Sequence, residues 1–466
     1  MLEGLEAVEV ELKNVISSDL SMRLDSEYYK KIFVLEDAKL CSLNAKPLSS
    51  FTKKIDVGFV GSMVSNYSED DSDPVLLQTN NIGEFFIQDI NPQRINRQFH
   101  QKLTKSQVEK KNVLLARSGS FGKASIYLKD EVSNSSDIII VETDDTKLNP
   151  YYLVVFLNSK LGKNQLYRFA SGGLQGHVNL TILETLKVPC ISVELSSMIE
   201  QVVLSAHKSI ENSQKLYSEA EKILLEELGL QDWKPEERAT TVKSLSDFLV
   251  SGRLDAEYYQ PKYDDLFAHL KKYETKQLSQ IATINKSIEP GSDAYQESGI
   301  PFARVSNLSK FGLTEPDIHL DRAIFETNEL KPKKDTILLS KDGSVGIAYK
   351  LEQDLDAVTS GAILHLKITD KEFLPDYLTL VLNSIIVKMQ AERDAGGSII
   401  QHWKPSEIEQ VIIPKLSREL QTQIAQKIQE SFALKAESKR LLDLAKTAVE
   451  TAIEHGEQKA IELLNL

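Results

Sequence analysis

Cysteine is nearly missing from this chain. Cys41 and Cys190 are the two in 466 residues, too few for a disulfide framework or a four-thiolate zinc site. No apolar run approaches the roughly 18 residues that a membrane helix needs. The opening Met1-Leu-Glu-Gly-Leu-Glu6 lacks a signal peptide's basic start, so the expectation is a soluble cytoplasmic protein without membrane contact. Positive charge is short as well: 55 Lys and Arg stand against 68 Asp and Glu, a net charge of −13. The deficit is uneven, because residues 30–190 carry 20 basic against 17 acidic residues. Within that block Arg94, Arg97, Lys102, Lys105, Lys110, Lys111, Arg117 and Lys123 face one acid, Glu109. Such a local excess fits either phosphate contact or a solvated lysine-rich surface.

Enzyme signatures are absent too. No His-Glu-x-x-His, paired Cys-x-x-Cys or Asn-Pro-Pro-aromatic motif occurs, and Asn91-Pro92-Gln93-Arg94 fails the last of these. Ser118-Gly-Ser-Phe-Gly-Lys123 imitates a phosphate loop, but position 117 is Arg and position 124 is Ala. A Walker loop needs Gly and Ser or Thr there, so nucleotide hydrolysis is not expected. No catalytic residue and no metal ligand is expected; His177 and His402 lack neighbouring ligands in the sequence.

What the chain does have is a second copy of itself. Arg23-Leu-Asp-Ser-Glu-Tyr-Tyr29 returns as Arg253-Leu-Asp-Ala-Glu-Tyr-Tyr259. Leu114-Leu-Ala-Arg-Ser-Gly-Ser-Phe-Gly-Lys-Ala124 returns as Leu338-Leu-Ser-Lys-Asp-Gly-Ser-Val-Gly-Ile-Ala348. Pro150-Tyr-Tyr-Leu153 running to Leu157-Asn-Ser159 matches Pro375-Asp-Tyr-Leu378 running to Leu382-Asn-Ser384. Gly172-Gly173 matches Gly396-Gly397, and Val188-Pro189 matches Ile413-Pro414. The order is kept and the offset stays between 224 and 230, so the chain is a duplicated unit.

Each copy begins with short β-type runs, such as Asp137–Val141 and Ile363–Ile368, and short helices over 151–167 and 376–392. It then changes character, since residues 194–229 and 418–455 hold no proline. Ile199, Val203, Ala206, Ile210, Ser213, Tyr217, Ala220, Leu224 and Glu227 form one helical seam. Ile424, Ile428, Ser431, Lys435, Ser438, Leu442, Ala445, Val449 and Ala452 form another, with Lys435 its flaw. Neither helix buries its stripe alone, so the two are predicted to pack antiparallel as a coiled coil. The expected fold is α+β: a domain over 1–193, a spacer helix over 194–232, a second domain over 233–417 and a distal helix over 418–466. At 1.5 Å per residue the helices are about 50 Å long, the span of roughly 15 base pairs.

The duplicated Arg-Leu-Asp-x-Glu-Tyr-Tyr box, the Gly-Ser-x-Gly loop and the Pro-terminated strand before each long helix resemble the specificity (S) subunits of Type I restriction-modification enzymes. The resemblance covers nearly the whole chain in order. It implies two target-recognition domains that read a bipartite, asymmetric site in double-stranded DNA. It also implies a non-catalytic subunit that docks two methylation (M) subunits and restriction (R) subunits. S-adenosylmethionine, ATP and magnesium would sit on those partners, with no cofactor in this chain. A non-catalytic adaptor with two protein-binding heads on a helical spacer is the alternative.

Candidate DNA contacts follow from matched positions. Gln78-Thr-Asn80-Asn81 and Arg304-Val-Ser306-Asn307 carry side chains that pair with adenine or guanine edges, or else cap a polar turn. Arg117, Ser118, Ser120 and Lys123, with Lys341 and Ser344, belong to a loop that either closes tightly between strands or faces DNA. Gln175 and His177, with Gln401, His402 and Lys404, end matching loops open to the same two readings. Arg94, Arg97 and Lys102 fit phosphate positioning, which sets register without base information. The Arg-Leu-Asp box, nearly unchanged between copies, fits a structural or docking role.

Overall fold

The computed structural model describes residues 8–18, 24–88, 92–117, 122–170, 180–236, 238, 240–327, 329–396 and 401–465. Ser118, Ser120, Gln175 and His177, with Arg23, Gly172, Gly173 and Gly397, lie outside the described residues. The chain divides into two compact units, Met1–Ile210 with Ala436–Leu466, and Glu211–Lys435. Each unit is α+β, and each takes half of each long helix.

In the first unit one sheet runs Thr52–Val57, Ile138–Thr143, Val113–Ala116, Ala124–Ile126 and Phe85–Phe86 among the described residues. Its pairs are antiparallel except the last. The run Ile138-Ile-Ile-Val141 shows no alternation with polar residues because both faces are covered. Ile139 and Val141 join the core under helix Pro150–Asn158, whereas Ile138 and Ile140 pack with Leu77, Ile82 and Val108. The second unit repeats the order with Ala282–Lys286, Ile363–Ile368, Ile337–Ser340 and Ala348–Lys350, all antiparallel. A second sheet, of five strands in the first unit and three in the second among the described residues, holds one parallel pair in each. That pair joins Val75–Leu77 to Ser133–Ser135 in one unit and Ile300–Ala303 to Val358–Thr359 in the other.

The helices expected over 151–167 and 376–392 are each two helices. They run Pro150–Asn158 and Lys160–Ala170 in the first unit, and Pro375–Asn383 and Ile385–Asp394 in the second. The break falls on a serine whose hydroxyl turns back to the preceding turn. Ser159 Oγ donates to the Phe156 carbonyl at 2.6 Å, and Ser384 Oγ to the Val381 carbonyl at 2.7 Å, a local bond that competes with helix continuation.

The duplicated sequence words are duplicated hydrogen bonds. Asn158 Oδ1 accepts the Ala124 N–H at 3.3 Å while its Nδ2 donates to the Ala124 carbonyl at 2.7 Å. Asn383 does the same to Ala348, at 3.0 and 2.8 Å. Tyr152 Oη donates to the Pro189 carbonyl at 2.9 Å, and Tyr377 Oη to the Pro414 carbonyl at 2.7 Å. Gln165 exchanges two bonds with the Lys187 backbone, as Gln390 does with Ile412. These buried or half-buried amides and hydroxyls pin the helix pair to the sheet and to the strand before the long helix. Each satisfied polar group of this kind contributes about 1 kcal/mol, and more is lost if its partner is stranded.

The long helices run Val193–Glu227 and Arg418–His455. In the first unit Leu195, Ile199 and Val203 share a core with Ala445, Ala448, Val449 and Ala452. In the second unit Tyr217, Ala220 and Leu224 share a core with Ile424 and Ile428. The start of one helix meets the end of the other, so they are antiparallel. Ser213 Oγ and Ser431 Oγ meet at 3.0 Å in the seam. Glu227 is exposed and Leu228 buried in its stead, since the helix ends there and Gly229 follows with φ +60°. Lys435 has a reason to interrupt its seam. Its Nζ donates to the Phe311 carbonyl at 3.1 Å and lies 4.8 Å from the Phe311 ring centre. Burial pushes that ammonium's pKa down. Phe311 also packs edge-on against Tyr217, with Lys310 over both rings. The hairpin carrying Phe311 is thereby fastened to the helices of its own unit.

Candidate nucleic-acid interface

The matched turns fold alike, as short helical turns Thr79–Asn81 and Val305–Asn307 placed just after strands Val75–Leu77 and Ile300–Ala303. Asn81 Oδ1 accepts the Gln78 N–H at 2.8 Å and its Nδ2 donates to the Gln88 carbonyl at 3.1 Å. Asn307 Oδ1 accepts the Arg304 N–H at 2.9 Å and its Nδ2 reaches Thr314 Oγ1 at 3.3 Å. Both asparagines are buried. A short amide three residues on can close such a turn, and these amides are committed to it. Asn80 and Ser306 are exposed, and Gln78 is half-buried. The Arg304 guanidinium pairs with Asp317 at 2.9 Å.

The basic run is less basic in three dimensions than in one. Arg94 Nη1 donates to the Asp73 carbonyl at 2.6 Å, with Asp71 3.5 Å from its Nε. Arg97 donates to the Ser72 carbonyl at 2.7 Å and lies 3.9 Å from the Asp73 carboxylate. Lys110 meets Asp130, Lys111 meets Asp145 and Arg117 meets Asp137. The single acid within the run is thus joined by acids brought from elsewhere in the fold. Lys102, Lys105 and Lys123 have no carboxylate within ion-pair distance among the described residues. In the second unit Lys331 and Lys333 are paired likewise, with Glu326, Asp356 and Asp354.

Two separately predicted loops meet in the second unit. Strand Asp342–Gly343 pairs antiparallel with Gln401–His402, placing Asp342 opposite His402. His402 Nδ1 lies 2.9 Å from Asp342 Oδ1, and the Lys341 ammonium pairs with the other carboxylate oxygen. Burial acts to raise the Asp342 pKa, but the Lys341 and His402 contacts outweigh it and hold the carboxyl below its ordinary range. The Trp403 backbone N–H donates to the Lys341 carbonyl at 2.8 Å, and the Trp403 ring is fully buried. Gly343 and Gly346, at φ +73° and +81°, take the left-handed backbone that this tight loop requires, as Gly122 does at φ +80° in the first unit. Ser344, Gln401 and Lys404 remain exposed. Sequence reasoning singled out His402 and Lys341 but not Asp342 as the group joining them. The signal was the one acid in the loop, at a position where the first copy has Ser118.

The Arg-Leu-Asp box faces its own unit. Arg253 makes two 2.7 Å bonds to Asp255 and donates to the Asp394 carbonyl at 2.8 Å. Tyr258 lies between Arg253 and Arg393, 4.9 and 5.0 Å from its ring centre. In the first unit Arg168 sits 4.3 Å over the Tyr28 ring and bonds the Tyr28 carbonyl. Among the described residues no group of three or more His, Cys, Asp or Glu could hold a metal ion, and no helix is long and apolar enough to cross a membrane.

Comparisons with known proteins bear on this arrangement. Residues 270–443 match the family model "Type I restriction modification DNA specificity domain". Among solved structures, the Type I restriction-modification S subunit from M. genitalium is 14% identical, with 90% of this chain and 95% of that one covered, at a TM-score of 0.38. The HsdS subunit from Thermoanaerobacter tengcongensis is 13% identical over 88% and 96%, at a TM-score of 0.28. A chain from work on "complex assembly" and "conformational transition of the type I R-M system" is 14% identical over 88% and 97%, at 0.29. No curated protein sequence matches. The family model covers most of the second unit, and the first unit repeats that unit's strands, helix pair and frame hydrogen bonds position by position. Residues 270–443 are thus similar to a Type I restriction modification DNA specificity domain, and the first unit resembles that region through the internal duplication.

Proposed function

We propose that this chain is the sequence-reading subunit of a Type I restriction-modification enzyme, with each unit contacting one short half-site of a bipartite, asymmetric DNA duplex. One observation carries the reading: an unchanged hydrogen-bonded frame presents unlike residues at its loops. Asn158 and Asn383, or Tyr152 and Tyr377, make matching bonds, while Gln78 corresponds in sequence to Arg304, Arg117 to Lys341 and Lys123 to Ile347. A frame that stays while its loops change is what two different short sequences require.

The exposed or half-buried Asn80, Gln78, Lys102, Lys123, Ser306, Arg304, Ser344, Gln401 and Lys404 are the proposed contacts, together with Ser118, Ser120, Gln175 and His177. Arg94, Arg97 and Arg117 would reach phosphates only by exchanging their present carboxylates. That exchange leaves much of the phosphate contact to partner chains. Two methylation subunits would bring S-adenosylmethionine, and restriction subunits would bring ATP and magnesium. The chain itself would hold no cofactor and catalyse nothing. The proposed division of the chain is 1–193, 194–232, 233–417 and 418–466.

Methylome sequencing of a host carrying this chain and a methylation subunit tests the proposal. The expected result is one adenine motif split by a fixed gap. An undivided motif, or binding indifferent to the spacer length between fixed half-sites, would overturn it.

A further inference from the structure

Asp342 and His402 stand opposite each other on two paired strands. Strands Asp342–Gly343 and Gln401–His402 are two residues each, too short to hold together on backbone bonds alone. The His402 N–H and carbonyl bond Gly396 on the far side, at 2.8 and 3.2 Å, and the Trp403 backbone N–H bonds the Lys341 carbonyl. Asp342 and His402 thus face each other as a non-hydrogen-bonded pair, whose side chains lie closest in an antiparallel ladder. The imidazole closes on the carboxylate at 2.9 Å and Lys341 takes the second oxygen. Both of the carboxylate's oxygens are therefore engaged within the protein. Gln401 and Lys404, the exposed neighbours of His402 and of buried Trp403, are carried wherever this pair holds them.

We propose that Asp342 and His402 form a clasp that positions the two DNA-facing loops of the second unit, so that His402 orients Gln401 and Lys404 and does not itself read a base. The clasp belongs to one half of the recognition. At the matching places the first copy has Ser118 and His177, a pair without the carboxylate. The Arg117 guanidinium, in the place of Lys341, goes instead to Asp137 at 3.2 Å. The inference rests on the proposal that this unit reads DNA.

The test uses the full chain in complex with a methylation subunit. Three duplexes are compared: the native site taken from the methylome, and the same site with either half-site scrambled. Discrimination at each half-site is the ratio of scrambled to native Kd. Asp342→Asn is expected to lower discrimination at the second half-site by about tenfold or more, a change the size of losing one read base pair. The first half-site should stay within about twofold, as expected for an independent site with no shared partners. Asp342→Cys with His402→Cys, in a background of Cys41→Ser and Cys190→Ser, replaces the side-chain contact with a bond that opposite residues of this kind can form. Oxidation by diamide should restore discrimination to within about threefold of the parent, and reduction should remove it again. Loss at both half-sites, or full retention in Asp342→Asn, overturns the clasp. So does an oxidised pair, verified by mass, that stays as poor as the reduced one, for His402 would then touch DNA itself. If the unaltered complex discriminates at neither half-site, the DNA-reading proposal falls and the clasp with it.

Discussion

At one corner of the frame the first unit has Ile126 and Tyr151, both buried, while the second has Lys350 and Asp376 at the matching positions. Lys350 Nζ sits 2.7 Å from Asp376 Oδ1, both side chains nearly inaccessible, and Gln429 donates to the other oxygen at 2.8 Å. On the central strand Ile140 of the first unit is replaced by His365, buried against Thr359 Oγ1 at 2.7 Å. Yet the hydrogen bonds of Asn158 and Asn383, Tyr152 and Tyr377, Gln165 and Gln390 are the same. The difference separates two kinds of constraint. Directional bonds to backbone fix where strands and helices meet, so their residues repeat. The volume between them can be filled by apolar groups or by a matched ion pair, because a satisfied buried pair costs little more than a hydrophobic one of its size.

Breaking the ion pair should produce the largest contrast. Asp376→Ala leaves a buried ammonium without its main partner and is expected to destabilise the second unit by about 3–5 kcal/mol. Lys350→Ile with Asp376→Tyr, which borrows the first unit's residues, should recover most of that loss. Native-state hydrogen exchange along Ile363–Ile368, with Ile138–Thr143 as the internal standard, reads both. No recovery in the double variant would mean that the two frames are not interchangeable.

Acid should also separate the units, more gently. Burial, aided by the Lys367 charge, pushes the His365 pKa down to about 4 from an ordinary 6.5. The native state then binds fewer protons than the unfolded state between those values, so stability from this site is present above pH 6.5. It is lost as pH falls toward 4, by on the order of 3 kcal/mol. Exchange protection of Ile363–Ile368 should fall over this window more in the parent than in His365→Ile. Equal slopes would remove the histidine from the account.

The smallest effect sharpens the likeness. Tyr152→Phe and Tyr377→Phe each delete one hydroxyl bonded to a proline carbonyl, and each should cost about 1 kcal/mol. Clearly unequal losses in exchange protection would show that the repeated bond is not repeated in energy.

Much of this was readable along the chain. The Pro-Tyr-Tyr and Leu-Asn-Ser words, the apolar strand runs and the three-and-four spacing of the long helices depend on neighbours close in sequence. Their periodicity survives folding unchanged. Lys435 looked like a flaw because the Phe311 carbonyl that receives it comes from a hairpin more than a hundred residues earlier. The run from Arg94 to Lys123 stayed open to two readings because Asp71, Asp73, Asp130, Asp137 and Asp145 lie outside it in sequence. The serines that split each short helix pair were visible, but a hydroxyl's choice between solvent and its own helix is made by local packing.

The amino-acid order by itself determined the duplication, the α+β alternation and the two helical seams, since each follows from residue type and spacing within a few turns of chain. Only the tertiary structure decided which charges are neutralised, which asparagines close turns and which loops meet. Those outcomes depend on groups that burial brings within hydrogen-bonding distance from remote parts of the chain, and one-dimensional spacing carries no record of them.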